Sequence, residues 1–291
     1  MTGSRLLFWL VIKPVSLLPY PLLYKLSDFF YVIFYYLIGY RKKVVYQNLN
    51  LCFPDKSKAE IISLQKKFYR HFCDLVLESL KNFSITSEQA QERMEQINVN
   101  AINQYFEKGR SVLIAGGHYG NWELWAVATP LHLRHRMIGI YKKLKNEYFD
   151  QKMRKSRGKF GLELVETKET GAFLDENKNS LIASVFAIDQ SPSNPKKAVW
   201  IDFLGQETAA LFGTEKYSRE HNFAVVWGHI RKKKRGYYSI TYELITDNTA
   251  TLAHGELTQK LHRILEQDIL VAPEFWLWSH KRWKHKRPEE N

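Results

Sequence analysis

Ser111-Val112-Leu113-Ile114-Ala115-Gly116-Gly117-His118-Tyr119-Gly120-Asn121-Trp122-Glu123 decides how this chain is read. An apolar run of strand length ends in paired glycines, and an apolar stretch from Leu124 to Ala128 follows. That succession predicts strand, tight turn and helix. The turn carries an imidazole, and a carboxylate follows at His-x4-Glu spacing. Imidazole is the common general base near neutral pH, and a carboxylate partner fixes its tautomer and raises its basicity. On one helix this spacing would leave the two side chains on different faces. His118 is therefore expected in the turn, with Glu123 reaching back from the first helical turn and Asn121 as N-cap. The plainer alternative makes Glu123 a complement to the helix dipole and His118 an ordinary turn residue.

Beyond this segment, strand-like and helix-like runs alternate. Val112–Ala115, Met137–Tyr141, Leu162–Val165, Leu181–Ile188, Phe223–Ile230 and Tyr237–Leu244 read as strands. Trp122–Ala128, Glu147–Arg157, Gly171–Asn177 and Thr251–Asp268 read as helices, and residues 56–95 as helical throughout. The pattern predicts an α/β fold, a mostly parallel sheet flanked by helices, with Tyr237–Leu244 as an antiparallel hairpin partner. Ligands of such sheets bind outside the carboxyl ends of the strands. His118 lies just past one such end and Asp189 just past another, which groups them. Asp189 reads equally as a turn-forming residue before Ser191-Pro192.

The 291 residues are 45% hydrophobic and 14% aromatic, with a formal net charge of +13. Such a charge attracts polyanions: nucleic acid, anionic lipid or an acidic carrier protein. Cys52 and Cys73 are the two cysteines, too few for a disulfide framework, which points to a reducing compartment. The first forty residues are apolar and aromatic, but Lys13, Lys25 and Asp28 interrupt them and Pro14, Pro19 and Pro21 break any single long helix. The uncharged run Phe29–Tyr40 would span only ~18 Å as a helix, against a hydrocarbon core of ~30 Å. No small-residue cleavage site follows, which argues against a signal peptide. Residues 1–55 are read as a membrane-associating segment of helices lying in or on the bilayer surface, with Arg41-Lys42-Lys43 at its end, and 56–291 as the α/β domain. A buried hairpin of the core is the alternative.

His118 to Glu123 resembles the His-x4-Asp/Glu motif of the glycerolipid acyltransferases, and His-Tyr-Gly-Asn-Trp-Glu resembles its version in the bacterial lipid A biosynthesis (late lauroyl/myristoyl) acyltransferase family. Trp276-Leu277-Trp278-Ser279-His280-Lys281-Arg282-Trp283 is similar to that family's terminal signature, and Asp189-Gln190 to its central Asp-Gln element. Gly39-Tyr40-Arg41-Lys42-Lys43-Val44-Val45, Asn48-Leu49 and Phe53-Pro54 match its N-terminal pattern. The likeness covers nearly the whole chain in order. Departures stand at Phe203-Leu204-Gly205, Gly213-Thr214-Glu215-Lys216 and Tyr141 to Asn146.

The resemblance implies an acyltransferase that moves a fatty acyl chain from acyl carrier protein to a hydroxyl of a lipid A precursor, at the cytoplasmic (inner) membrane with its site facing the cytosol. It implies no cofactor and no metal beyond the acyl thioester donor. A lysophospholipid or aminolipid acceptor stays open, as does hydrolysis. A non-catalytic basic protein binding membrane or nucleic acid is the reading from another class; no nucleic-acid-binding signature supports it. The residues agree with direct transfer. The chain has no Gly-x-Ser-x-Gly elbow, glycine-rich nucleotide loop or Cys/His metal spacing. His118 would take the hydroxyl proton, Glu123 would stabilise the imidazolium, and Asp189 is a second supporting carboxylate. Gly117 and Asn121 in the turn are expected to meet substrate. By resemblance, Lys142, Lys143, Lys145, Arg154 and Arg157 should face an anionic headgroup; a solvated helix face is the alternative. Arg231 to Arg235 reads as a solvated hairpin turn. The terminal Trp/His/Arg segment reads as a membrane-interface or carrier-docking surface, with His280 structural.

Overall fold

The computed structural model describes residues 3–287. The N-terminal part holds α1 (Gly3–Leu7), α2 (Lys13–Leu17) and α3 (Tyr20–Val32), with wider π-helical turns at Phe8–Ile12 and Ile33–Ile38. α3 and its continuation form one helix, Tyr20–Ile38, of 19 residues, long and apolar enough to cross a membrane. It runs through Lys25 and Asp28 rather than stopping at them. Asp28 is tolerated because Arg235 pairs with it at 2.6 Å. α4 (Lys42–Cys52) and the long α5 (Lys58–Lys81) follow. α5 starts on a capping box between Ser57 and Glu60, a device worth about 1 kcal/mol. It buries Ile61, Leu64, Phe68 and Leu75 at the expected helical spacing.

Beyond α5 come α6 (Ser87–Arg93), α7 (Asn100–Glu107), α8 (Trp122–Ala128), α9 (Glu147–Arg157), α10 (Thr170–Glu176), α11 (Gly213–Glu220) and α12 (Glu256–Val271). The strands are β1 (Met94–Ile97), β2 (Val112–Gly116), β3 (Arg136–Tyr141), β4 (Glu163–Glu166), β5 (Ile182–Ala187), β6 (Val199–Phe203), β7 (Gln206–Ala210), β8 (Ala224–Lys234) and β9 (Tyr237–Thr246). Seven of them form one sheet in the order β1-β9-β8-β2-β5-β3-β4. All its pairs are parallel except β8–β9, so the expected mostly parallel sheet and its antiparallel hairpin are both present. β2 is buried along its whole length, as a central parallel strand should be.

Two features depart from the expected pattern. β1 takes the end of the stretch read as helical and pairs with β9 at the sheet edge. β6 and β7 form a separate two-stranded hairpin. Its two-residue turn is Leu204-Gly205, both at positive φ, which explains the glycine there. One apolar cluster runs from Tyr31, Tyr35, Val45 and Leu49 through the central strands to Trp276 and Trp278.

Candidate active site

β2 and β5 are adjacent, with Gly116 opposite Ala187. Two residues beyond each strand end stand His118 and Asp189, so the pairing register brings the two together. The His118 Nδ1–Asp189 Oδ1 distance is 2.7 Å, and the backbone N–H of His118 donates to Asp189 Oδ2 at 2.8 Å. Trp276 donates its indole N–H to the same oxygen at 2.8 Å. Ring and backbone of His118 are thus tied to one buried carboxylate.

The glycines before and after it serve close approach. A Cβ on Gly117 would stand 2.7 Å from Leu265 of α12. Gly120 has φ +62° and would meet Ile230 at 2.5 Å.

Glu123 is placed differently from the expectation. Its carboxylate takes both arms of the Arg157 guanidinium, Nε to Oε2 at 3.0 Å and Nη2 to Oε1 at 2.6 Å. The carboxylate bonded to the imidazole is Asp189. Glu123 starts a helix whose cap, Asn121, fixes its outlook toward α9, while the Nδ1 side of His118 faces the end of β5. Glu123 still acts on His118 through charge. Burial works against the imidazolium, but Asp189, by charge and hydrogen bond, and then Glu123 outweigh it and raise the His118 pKa above its usual value. Burial pushes Asp189 upward too. The charge and hydrogen bond of His118, the Trp276 indole and the His118 backbone N–H reverse that and hold it well below the usual carboxylate range. With Nδ1–H donated to Asp189, the imidazole keeps its lone pair on Nε2. There the exposed Gln190 amide lies 3.1 Å away and donates to it. In the sequence Gln190 reads only as half of an Asp-Gln pair.

Asn121 is the N-cap as expected, accepting from Leu124 N at 2.8 Å. It has no exposed surface, and its amide donates to the buried Glu78 at 2.6 Å. It holds the turn and is not open to substrate, which corrects the binding role expected for it. Glu78 also accepts from Tyr24 of α3 and Tyr238 of β9. His71 of α5 pins the Gly120 carbonyl at 3.1 Å; burial, with the nearby Lys232, lowers its pKa to about 3, so it is a neutral donor. Of the basic set, Arg157 joins the site, Arg154 packs over Tyr141, Lys143 pairs with Glu166 at 3.5 Å, and Lys142 and Lys145 are exposed. Burial raises both thiols, Cys52 strongly and Cys73 to about 12, so neither is an available nucleophile.

The terminal motif is the wall of this site and not an outer surface. Trp276, Trp278 and Arg282 are buried. The Leu277 N–H donates to the His118 carbonyl at 3.2 Å, and Gly120 N–H to Phe275 O at 3.0 Å. His280 accepts the Ser191 N–H at 2.9 Å, and burial lowers its pKa to about 4, the structural role expected of it. The N-terminal motif holds this wall from behind. Asn48 donates to the Trp278 and His280 carbonyls, both at 2.9 Å, and Arg41 to Ser279 O at 2.9 Å. The run Arg231 to Arg235 is likewise not a free turn. Arg231 pairs with Asp268, Lys232 with Asp74, Lys233 with Glu95, and Arg235 with both Asp28 and Asp74. At Gly213 to Lys216, Glu215 is fully buried and caps α12, accepting from Gly255 N at 2.7 Å and Thr258 N at 2.9 Å.

These segments, distant in sequence, meet around one histidine, and a family comparison covers all of them. The model of the family described as bacterial lipid A biosynthesis acyltransferase matches residues 3–285. The chain belongs to this family. It is 24% identical to the lipid A biosynthesis lauroyltransferase of Escherichia coli (strain K12), over 97% of this chain and 90% of that protein. It is 21% identical to a lipid A biosynthesis acyltransferase of Haemophilus influenzae (strain ATCC 51907 / DSM 11121 / KW20 / Rd), over 98% and 92%. With the lipid A biosynthesis palmitoleoyltransferase of Escherichia coli (strain K12) it shares 22%, over 92% and 86%. The protein is therefore an acyltransferase.

Trp276 gives this acyltransferase a simple test. Trp276→Phe removes the indole N–H from Asp189 and keeps an aromatic ring. A hydrogen bond to a charged group is worth ~1.5–3 kcal/mol, so kcat is expected to fall roughly 10–100-fold. Steady-state kinetics beside a thermal melt separate this from loss of fold.

Proposed function

We propose that this acyltransferase moves a fatty acyl chain from acyl carrier protein to a hydroxyl of a lipid A precursor by direct transfer. His118 Nε2 removes the hydroxyl proton. The hydroxyl oxygen attacks the thioester carbonyl, the C–O bond forms, the C–S bond breaks, and the proton passes from the imidazolium to the departing thiolate. Asp189 orients the ring and stabilises the imidazolium in the role the sequence assigns to Glu123. Glu123 and Arg157 add a charged pair beside it. The observation that carries this reading is the His118–Asp189 pair with its remaining ring nitrogen turned to the exposed Gln190. The names of the relatives support the acceptor. The net charge of +13 suits both an acidic carrier and a phosphorylated acceptor.

The reading puts this chemistry at the cytoplasmic membrane, with the site on the cytosolic side where acyl carriers are found, and the exposed apolar face of the N-terminal helix supports the membrane contact. Its outer face exposes Phe29, Tyr36, Leu37 and Ile38. Its inner face is bonded to α5, Ser27 to Asp74 at 2.8 Å and Tyr24 to Glu78 at 2.9 Å. A spanning orientation would draw Asp74, Glu78 and Arg235 toward hydrocarbon, which is expensive. The docked helix therefore lies along the bilayer surface.

Mass spectrometry of lipid A from cells with and without the intact gene tests the acceptor. One acyl chain is expected to be missing when the gene is lost. Unchanged lipid A beside a change in another lipid class would assign another acceptor.

A further inference from the structure

Between the first helix and α9 lies a cleft of about 460 Å³ lined by Arg5, Trp9, Tyr148, Gln151, Lys152 and Lys155. Its volume is that of a small-ligand site. Three cations face it and no carboxylate lines it. Among the described residues Arg5, Lys152 and Lys155 form no ion pair. Lys152 instead lies 4.7 Å from the Phe8 ring centre, 5.2 Å from Trp9 and 5.3 Å from Tyr148, and Arg5 lies 5.9 Å from Tyr148. Leu6, Leu7, Trp9, Leu10 and Val11 are exposed beside the cleft, Leu10 to 70%. Cations held over aromatic rings beside an exposed apolar stripe suit an anionic head joined to an apolar tail.

We infer that this cleft binds the phosphate headgroup of an anionic membrane phospholipid, with its acyl chains along Leu6, Leu10 and Val11. The site is separate from the acyl-transfer centre. Arg157 reaches Glu123 from the same helix, but at ~100° per residue Lys155 and Lys152 project ~160° and ~140° away from it. A lipid held there ties the first helix to α9 and sets the height of His118 over the bilayer. The inference does not depend on His118 chemistry.

Full-length protein is partitioned onto phosphatidylcholine vesicles with and without phosphatidylglycerol. Each cation near an anionic surface is worth about fivefold in partition, so Lys152→Gln/Lys155→Gln is expected to weaken binding to the anionic vesicles roughly 10–25-fold. Lys58→Gln/Lys178→Gln removes the same charge outside the cleft and should change it far less. Equal losses in the two double variants would overturn the site in favour of diffuse attraction. Trp9 fluorescence, taken as wild type minus Trp9→Phe, should respond to dihexanoyl phosphatidylglycerol. An equal response to inorganic phosphate would mean a free-phosphate site and would overturn the lipid assignment. Circular dichroism of every variant confirms folding.

Discussion

Asp189→Asn is expected to lower kcat by roughly 10⁴-fold with the fold retained, because an amide cannot hold the required tautomer or stabilise the imidazolium. The variant should also move the pH profile. A base works deprotonated, so the wild-type rate is lost as pH falls through the His118 pKa, which lies above the usual histidine value of ~6.5. Without the carboxylate, burial is left to lower that pKa, and the acid limb of the residual activity should shift to lower pH. Full activity in Asp189→Asn with an unmoved limb would show that the buried carboxylate does not serve the imidazole.

His118→Ala removes the base itself, and the expected loss is ~10²–10⁴-fold. Asp189 keeps the Trp276 indole and the backbone N–H as donors, so the protein should still fold, at some cost in stability. Glu123→Ala should be severely impaired too, but for a different reason. It strands the half-buried Arg157 and removes a charge that raises His118, so it should lower the rate without abolishing ring orientation. An intact acid-limb pKa in Asp189→Asn together with a shifted one in Glu123→Ala would reverse the two roles.

The sequence places His118 and Asp189 past strand ends, but their contact depends on which strands pair and in what register. Gly116 opposite Ala187 is a tertiary fact, invisible to spacing, whereas the nearby Glu123 is a visible carboxylate and draws the role to itself. The apolar periods of β2, β8 and α5 are legible because burial on both faces, or on one stripe, imprints them. β1, Met94-Glu95-Gln96-Ile97, is short, polar and at an edge, and continues a helical pattern without a break. The β6–β7 hairpin had a readable signal in Leu204-Gly205, a two-residue turn between short strands. The terminal tryptophans suggest an interface because the aromatic excess is counted and not located. In the folded chain their N–H groups serve Asp189 and the Pro273 carbonyl inside the protein. The basic run at Arg231 looks solvated because its carboxylate partners, Asp28, Asp74, Glu95 and Asp268, are scattered along the chain.

The most direct test of the whole account is reconstitution. Purified full-length protein in detergent is given acyl-loaded acyl carrier protein and a lipid A precursor, and acylated lipid and free carrier thiol are both quantified. One acyl ester is expected for each thiol released, with both products falling together, by ~10²–10⁴-fold in His118→Ala and by roughly 10⁴-fold in Asp189→Asn. Thiol release without lipid ester, or ester formation undiminished in a folded His118→Ala protein, would contradict it.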